Sequence, residues 1–271
     1  MKKRKIEISS SSSGNWLFNC SRYFSHEIDH EDKKEITKIV MNNRFINSDN
    51  IKMLSLNIVN CGNLTKIDLS ENSIGAHGVE ILISSILKSR IPLRILNLSK
   101  NFIEDYHSAK LDSLIKECHS LTELNLSCTR PKSAGVKMFL AALVLNTTLK
   151  KIDLSKNTIG NGFVPLLCEL FEKNETLRIV NLDDTKLDVK AISKIADKIN
   201  ANILLSRVSI SGPKIHNFVS IHLKNTFSKR NEEKKKCILM LCLFREFCNY
   251  SFIHSDYFPL DTLKLIINFI E

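Results

Sequence analysis

Six segments of this chain repeat one pattern, beginning at Leu64, Leu93, Leu121, Leu149, Leu177 and Leu205, at intervals of 29, 28, 28, 28 and 28 residues. The clearest copies are Leu64-Thr-Lys-Ile67-Asp-Leu69-Ser-Glu-Asn72-Ser-Ile74 and Leu149-Lys-Lys-Ile152-Asp-Leu154-Ser-Lys-Asn157-Thr-Ile159. A fixed period of this size means that each unit is one supersecondary element too small to bury its own apolar face. Such units stack on their neighbours and make an elongated solenoid with a long, curved surface. At 271 residues the chain could form one or two ordinary domains, and the repeats favour one elongated domain instead.

Each unit divides into two halves. Counting from its leading leucine, the fourth column is Ile67, Leu96, Leu124, Ile152, Val180 and Val208, and the sixth is Leu69, Leu98, Leu126, Leu154, Leu182 and Ile210. That alternation predicts a short strand with one face in the core. Eighteen residues after each leucine stand Leu82, Leu111, Phe139, Leu167, Ile195 and Leu223, and four further on Ile86, Ile115, Leu143, Phe171, Ile199 and Phe227. Apolar residues at i and i+4 predict a helix laid against the strands. The ninth column, Asn72, Asn101, Thr129, Asn157, Thr185 and Pro213, calls for a buried polar side chain that satisfies the backbone where the chain leaves the strand. Pro131 stands where the eleventh column has Ile or Leu, so an irregular third loop is expected.

These columns follow L-x-x-L-x-L-x-x-N-x-L, and the chain resembles the ribonuclease-inhibitor-like leucine-rich-repeat superfamily over about Leu64–Arg230. The resemblance implies an α/β solenoid with short parallel strands on a concave face, helices on the convex face and a cap at each end. It also implies a surface that holds a protein partner. Within the superfamily, Lys- and Asn-rich usage and a short chain with its own caps favour an effector over a sensor.

The expected division is a basic, Ser-rich tail over 1–13, an N-terminal cap over 14–62, repeats over 63–230 and a helical cap over 231–271. The first cap is read as a helix over Asp32–Asn43 followed by an imperfect strand, Ile51 to Leu56. The second is read as two helices, one carrying Met240, Leu243, Phe244 and Phe247, the other Leu263, Ile266, Ile267 and Ile270.

Apolar residues make up 43% of the chain, enough for a continuous core, and the net charge of +10 favours an anionic partner. The best membrane candidate, Cys237–Phe244, stops at Arg245 after eight residues, far short of the roughly 20 that a membrane span needs. Eight cysteines without a CxxC pair read as reduced thiols in a cytoplasmic protein. No Gly-rich phosphate loop or Ser/His/acid constellation appears, so neither enzyme activity nor a cofactor is expected. Cys20, His26 and His30 are one weak zinc set, with a fourth ligand unspecified and without the tighter pairs that zinc sites usually show. Lys2–Lys5 permits nuclear import or contact with nucleic acid, and the net positive charge permits association with nucleic acid or ribosomes. Phe258–Phe269 is faintly similar to the first helix of an F-box, which would make the protein a ubiquitin-ligase substrate receptor; a capping helix explains the same residues and is favoured, because an exposed solenoid end must be covered.

Strand residues that alternate with the core face the concave side. Column five (Asp68, Asn97, Asn125, Asp153, Asn181, Ser209) and column seven (mostly Ser) follow the superfamily and carry little information about a partner. Column three and the ascending loops vary. The candidate partner-binding residues are therefore Lys66, Ile95, Glu123, Lys151, Ile179 and Arg207 on the strands, with Phe102, Arg130 and Lys186 in the loops. Exposed Ile and Phe beside Arg make the mixture that anchors protein interfaces.

Overall fold

The computed structural model describes residues 4–7, 36–59, 61–106, 109–202 and 204–211. They form one parallel sheet of eight strands in sequence order, open at both edges: β1 (Arg4–Glu7), β2 (Ile36–Val40), β3 (Lys66–Asp68), β4 (Ile95–Asn97), β5 (Glu123–Asn125), β6 (Lys151–Asp153), β7 (Ile179–Asn181) and β8 (Arg207–Ser209). Helices α1 (Ser48–Ile58), α2 (Ala76–Ser89), α3 (Leu111–Glu117), α4 (Ser133–Leu145), α5 (Val164–Lys173) and α6 (Val189–Ala201) alternate with the strands from β2 onward. Each helix packs on the next, and the strands line the inner face of an α/β solenoid.

The periodic columns are the core. Ile67, Leu96, Leu124, Ile152, Val180 and Val208 are all buried, as are Leu69 to Ile210 in column six and Leu82, Phe139, Leu167 and Ile195 on the helices. The backbone ladder runs beyond the three-residue strands. Column six donates its N–H to column five of the next unit (Leu69 to Asn97 O, 2.9 Å; Leu126 to Asp153 O, 2.8 Å), and column eight donates to column seven. Column eight is left-handed in every unit without a glycine: Asn43, Glu71, Lys100, Cys128, Lys156 and Asp184 have φ of 55–59°. A non-glycine residue seldom takes that conformation, and here each instance is held by its own ladder bond.

The turn it makes aims column nine inward. Asn157 Oδ1 accepts from the N–H of Thr129 (2.8 Å) and Arg130 (3.1 Å), while its Nδ2 donates to Leu126 O (2.7 Å) and Leu154 O (3.0 Å). Asn72 accepts from the N–H of Arg44 and Ile46 and donates to Met41 O and Leu69 O, and Asn101 accepts from that of Ile74 and donates to Leu69 O and Leu98 O. Thr185 makes part of the set, donating to Leu182 O at 2.6 Å. A second ladder with the same 28-residue period stands at the helix C-termini: Asn146 donates to Ile115 O, Asn174 to Leu143 O and Asn202 to Phe171 O, at 2.7–2.9 Å. Cys118 occupies that column one unit earlier, buried, with its thiol 3.6 Å from the Ser120 hydroxyl.

The N-terminal elements reverse the expectation. Residues 36–40 are a strand and 48–58 a helix, so the helix over Asp32–Asn43 and the strand from Ile51 to Leu56 are both corrected. Ile36, Ile39, Met41 and Ile46 fill columns one, four, six and eleven, all buried, and Ile39 pairs with Ile67. The repeat register therefore starts at Ile36. Helix α1 is fixed by a reciprocal cap: Asn47 Oδ1 accepts from the N–H of Asp49 and Asn50, and Asn50 Oδ1 accepts from that of Asn47, all at 3.0 Å.

The irregular loop is also displaced by one unit. Pro131 is buried and leads directly into α4. The irregularity precedes α3, which has seven residues, where Tyr106 turns into the core beneath the third unit. Its hydroxyl lies 2.5 Å from that of Thr129, and its ring meets Phe139 edge-on with centroids 5.4 Å apart. Tyr106 thus supplies volume and polarity that Thr129 lacks relative to asparagine. Burial raises the Tyr106 phenol well above its ordinary pKa, so it stays a neutral donor.

The tail over 1–13 apart from β1, the C-terminal cap over 231–271, Pro213, the zinc set Cys20, His26 and His30, and the F-box-like stretch lie outside the described residues.

Candidate protein-binding face

Column three forms a single file across the sheet. The strand register pairs Lys66 with Ile95, Ile95 with Glu123, Glu123 with Lys151, Lys151 with Ile179 and Ile179 with Arg207. Lys38, which the sequence analysis placed in a cap, extends the file by pairing with Lys66. Each side chain stands on the solvent side because its strand neighbours in columns four and six are in the core.

The file reads base, base, apolar, acid, base, apolar, base. Ile95 and Ile179 are half-buried, while Lys151 and Arg207 are exposed. Lys151 Nζ lies 3.5 Å from Glu123, so those two charges offset one another, and each side chain is about half exposed. Lys66 and Arg207 have no ion-pair partner among the described residues.

Beneath the file lies column five. Its Oδ1 atoms are committed locally: Asp68, Asn97, Asn125, Asp153 and Asn181 each accept from the N–H two residues on, at 2.9–3.2 Å. These Asx turns give the repeated Asp and Asn of this column a backbone role. The Nδ2 groups of Asn97 and Asn125 stay unspent among the described residues. They floor a depression of about 190 Å³ walled by Lys66, Ile95, Glu123 and Lys151.

Phe102, Arg130 and Lys186 belong to a second file, column ten, on the rim where strands lead towards helices. The Arg130 guanidinium sits over the Phe102 ring, 5.0 Å from its centroid, and Phe102 remains 48% exposed. Arg130 and Lys186 both take left-handed backbone, φ 55° and 61°. Phe45, 77% exposed at φ 56°, is a further member that the sequence reading missed. Once the register is carried back to Ile36, its place in column ten identifies it. Beside Phe102 a hollow of about 450 Å³ is lined by His77, Glu80, Glu104 and Lys132, with Glu80 close to Lys110 (3.2 Å) and Glu104 to Lys132 (3.4 Å). Hydrogen bonds from Lys110 and then His77 hold the Glu80 carboxyl below the usual range. The nine candidate residues therefore make two patches, a strand file of six and a rim file of three.

Cys118, Cys128 and Cys168 are free thiols, and the Cys61 thiol lies 3.6 Å from Asn57 O. Among the described residues no cluster of His, Cys, Asp and Glu could hold a metal, and no helix is long and apolar enough to cross a membrane.

A parallel strand and helix every 28 residues, closed by an asparagine-centred turn, define a solenoid of leucine-rich repeats. The family described as Leucine Rich repeat matches residues 60–82 and 145–162. Among relatives, the chain is 26% identical over 179 residues to mouse NACHT, LRR and PYD domains-containing protein 12, covering 55% of this chain and 17% of that protein. It is 23% identical over 207 residues to mouse ribonuclease inhibitor, covering 65% and 45%. A solved internalin of Listeria monocytogenes overlays with a TM-score of 0.45 at 14% identity, covering 73% of this chain and 62% of that one. The repeat fold, the family match and these relatives support a leucine-rich-repeat protein of the ribonuclease-inhibitor-like type. It spans less than half the length of either relative, and proteins of this class generally bind other proteins.

Proposed function

We propose that this chain is a non-enzymatic protein-interaction module that captures a protein partner on the column-three file, with the Phe102–Arg130 rim as a second contact. One observation carries the reading: Ile95 and Ile179 stand on the solvent face of the sheet, in a file whose other members are all charged. Scattered surface isoleucines are ordinary, but two in one file on a rigid sheet supply preordered apolar anchors with a polar surround.

The charges favour acidic groups on the partner opposite Lys66 and Arg207. The face as a whole is balanced, however: Lys38, Lys66, Lys151 and Arg207 stand against Asp68, Glu123, Asp153 and Asp183. Balance of this kind suits a protein better than nucleic acid, whose phosphates call for an excess of bases. Free thiols at Cys118, Cys128 and Cys168 support a reducing cytoplasmic setting. Action as an effector on a foreign host protein would use the same face and rests on composition alone.

Affinity capture from nuclease-treated cell lysate tests the reading. A protein retained by the wild type and lost with Ile95→Asp and Ile179→Asp, but kept with Lys137→Asp on α4, is the expected result. A partner indifferent to both isoleucines, or recovery that disappears with nuclease, would overturn it.

A further inference from the structure

The file also constrains the shape of what lies on it. Its six members from β3 to β8 are cross-strand neighbours, so they stand about 4.8 Å apart and the file is about 24 Å long. Three kinds of backbone could run along it. An extended strand places same-side residues about 6.7 Å apart and falls out of step by nearly 2 Å per strand. A polyproline helix repeats every ~9.3 Å, meets every second strand, and cannot seat both Ile95 and Ile179, which are three strands apart. An α-helix offers residues on one face at alternating intervals of three and four, on average about 5.3 Å, and 17 residues rise about 25 Å. Only the α-helix keeps step with all six strands.

We infer that the partner element on this face is an amphipathic α-helix of about five turns lying across the strands. This rests on the concave-face reading above. Charge complementarity sets its sequence. Opposite Lys66, Ile95, Glu123, Lys151, Ile179 and Arg207, the helix carries acid, apolar, base, acid, apolar and acid, at intervals of three and four residues. Its two apolar residues, three turns apart, seat on Ile95 and Ile179. Its central base and acid exchange partners with the Glu123–Lys151 pair, which at 3.5 Å and about half exposed costs little to open. The unspent Nδ2 groups of Asn97 and Asn125 line the floor on which its polar flank rests. Helix-in-groove recognition places anchors at these same intervals.

The test uses the full-length chain and three synthetic peptides. The first is stapled on its outer face and carries glutamate, leucine, arginine, glutamate, leucine and glutamate at its first, fourth, eighth, eleventh, fifteenth and eighteenth positions. The second has the same composition and staple with those residues scrambled. The third places the six side chains at alternate positions of an extended, β-branched chain. Fluorescence anisotropy is expected to show saturable binding of the first peptide, about tenfold or more tighter than the second, and weakened about tenfold by Ile95→Asp or Ile179→Asp. Glu123→Lys should weaken it as well, with recovery when the peptide's arginine is replaced by glutamate.

No saturable binding of the stapled helix, or equal binding of the scrambled one, would overturn the inference. Tighter, Ile95-dependent binding of the extended peptide would overturn the helix while leaving the concave face as the binding site. Loss of the face itself would show separately, as lysate capture indifferent to both isoleucines.

Discussion

Asn157 shows how much one side chain can hold in a repeat. It is buried and satisfies two backbone donors and two acceptors spread over two units. Replacing it with alanine orphans groups that water cannot easily reach, and each such group costs about 1–3 kcal/mol. Asn157→Ala is therefore expected to destabilise the fold by about 2–4 kcal/mol in chemical unfolding, well beyond a typical surface change. This role was legible in the sequence because the ninth column repeats. The second ladder, Asn146, Asn174 and Asn202, went unread although its period is the same. Its first column member is Cys118, and asparagine near a helix end also suits an ordinary loop. Tyr106 was illegible for a different reason. It compensates for Thr129 across 23 residues, outside any column, and only packing reveals that pairing.

At the scale of elements, the strand and helix columns from Leu64 onward were readable because apolar residues there have a single periodic explanation. The unit before them was misread because its spacing is ambiguous. Ile36 and Ile39 stand three apart, which imitates a helix, while Leu54, Leu56 and Ile58 alternate, which imitates a strand. The Asn47 cap and the burial of Ile51, Leu54 and Ile58, with Leu56 left in solvent, decide for the helix. Helices α1 and α2 approach closely at Gly78, where a Cβ would meet Ser48 Oγ at 2.8 Å and Ser48 Cα at 3.0 Å. A backbone atom cannot step aside as a side chain can. Gly78→Ala should cost about 1–3 kcal/mol by forcing α1 away, seen as a lower unfolding midpoint and faster amide exchange in α1.

Helix α6 carries a pH-sensitive cap. The Asp188 carboxylate accepts from the N–H of Ala191 at 2.8 Å and from Asn161 Nδ2 at 2.6 Å, and these bonds, the backbone one foremost, lower its pKa. A depressed carboxylate stabilises the fold above its unfolded pKa, near 3.8, and that contribution fades as pH falls through its lower folded value. Below pH 4, Asp188→Asn should therefore lose less stability than the wild type, with the two converging in their response at neutral pH.

At the scale of the whole molecule, the described elements form a stack in which neighbours supply nearly all contacts, so the inner face is a rigid, preordered surface rather than a pocket. That architecture, and the position of column three on its open side, followed from the period alone. The separation of the candidate residues into a strand file and a rim file did not, because column spacing places side chains along a unit but not around its turn. The left-handed residues of columns eight and ten make that turn and carry Phe102, Arg130 and Lys186 away from the sheet. The positive charge was the least informative feature: on the inner face, four bases meet four acids among the residues of columns three, five and seven from Lys38 to Arg207.

The most direct measurement is site-specific photo-crosslinking in living cells, with a photoreactive residue at Asn125 on the inner face and, separately, at Lys137 on the outer face of α4. The account predicts one protein partner cross-linked from Asn125 and lost on Ile95→Asp, with none from Lys137. Cross-linking from Lys137 alone, or products at Asn125 that persist with Ile95→Asp, would contradict it.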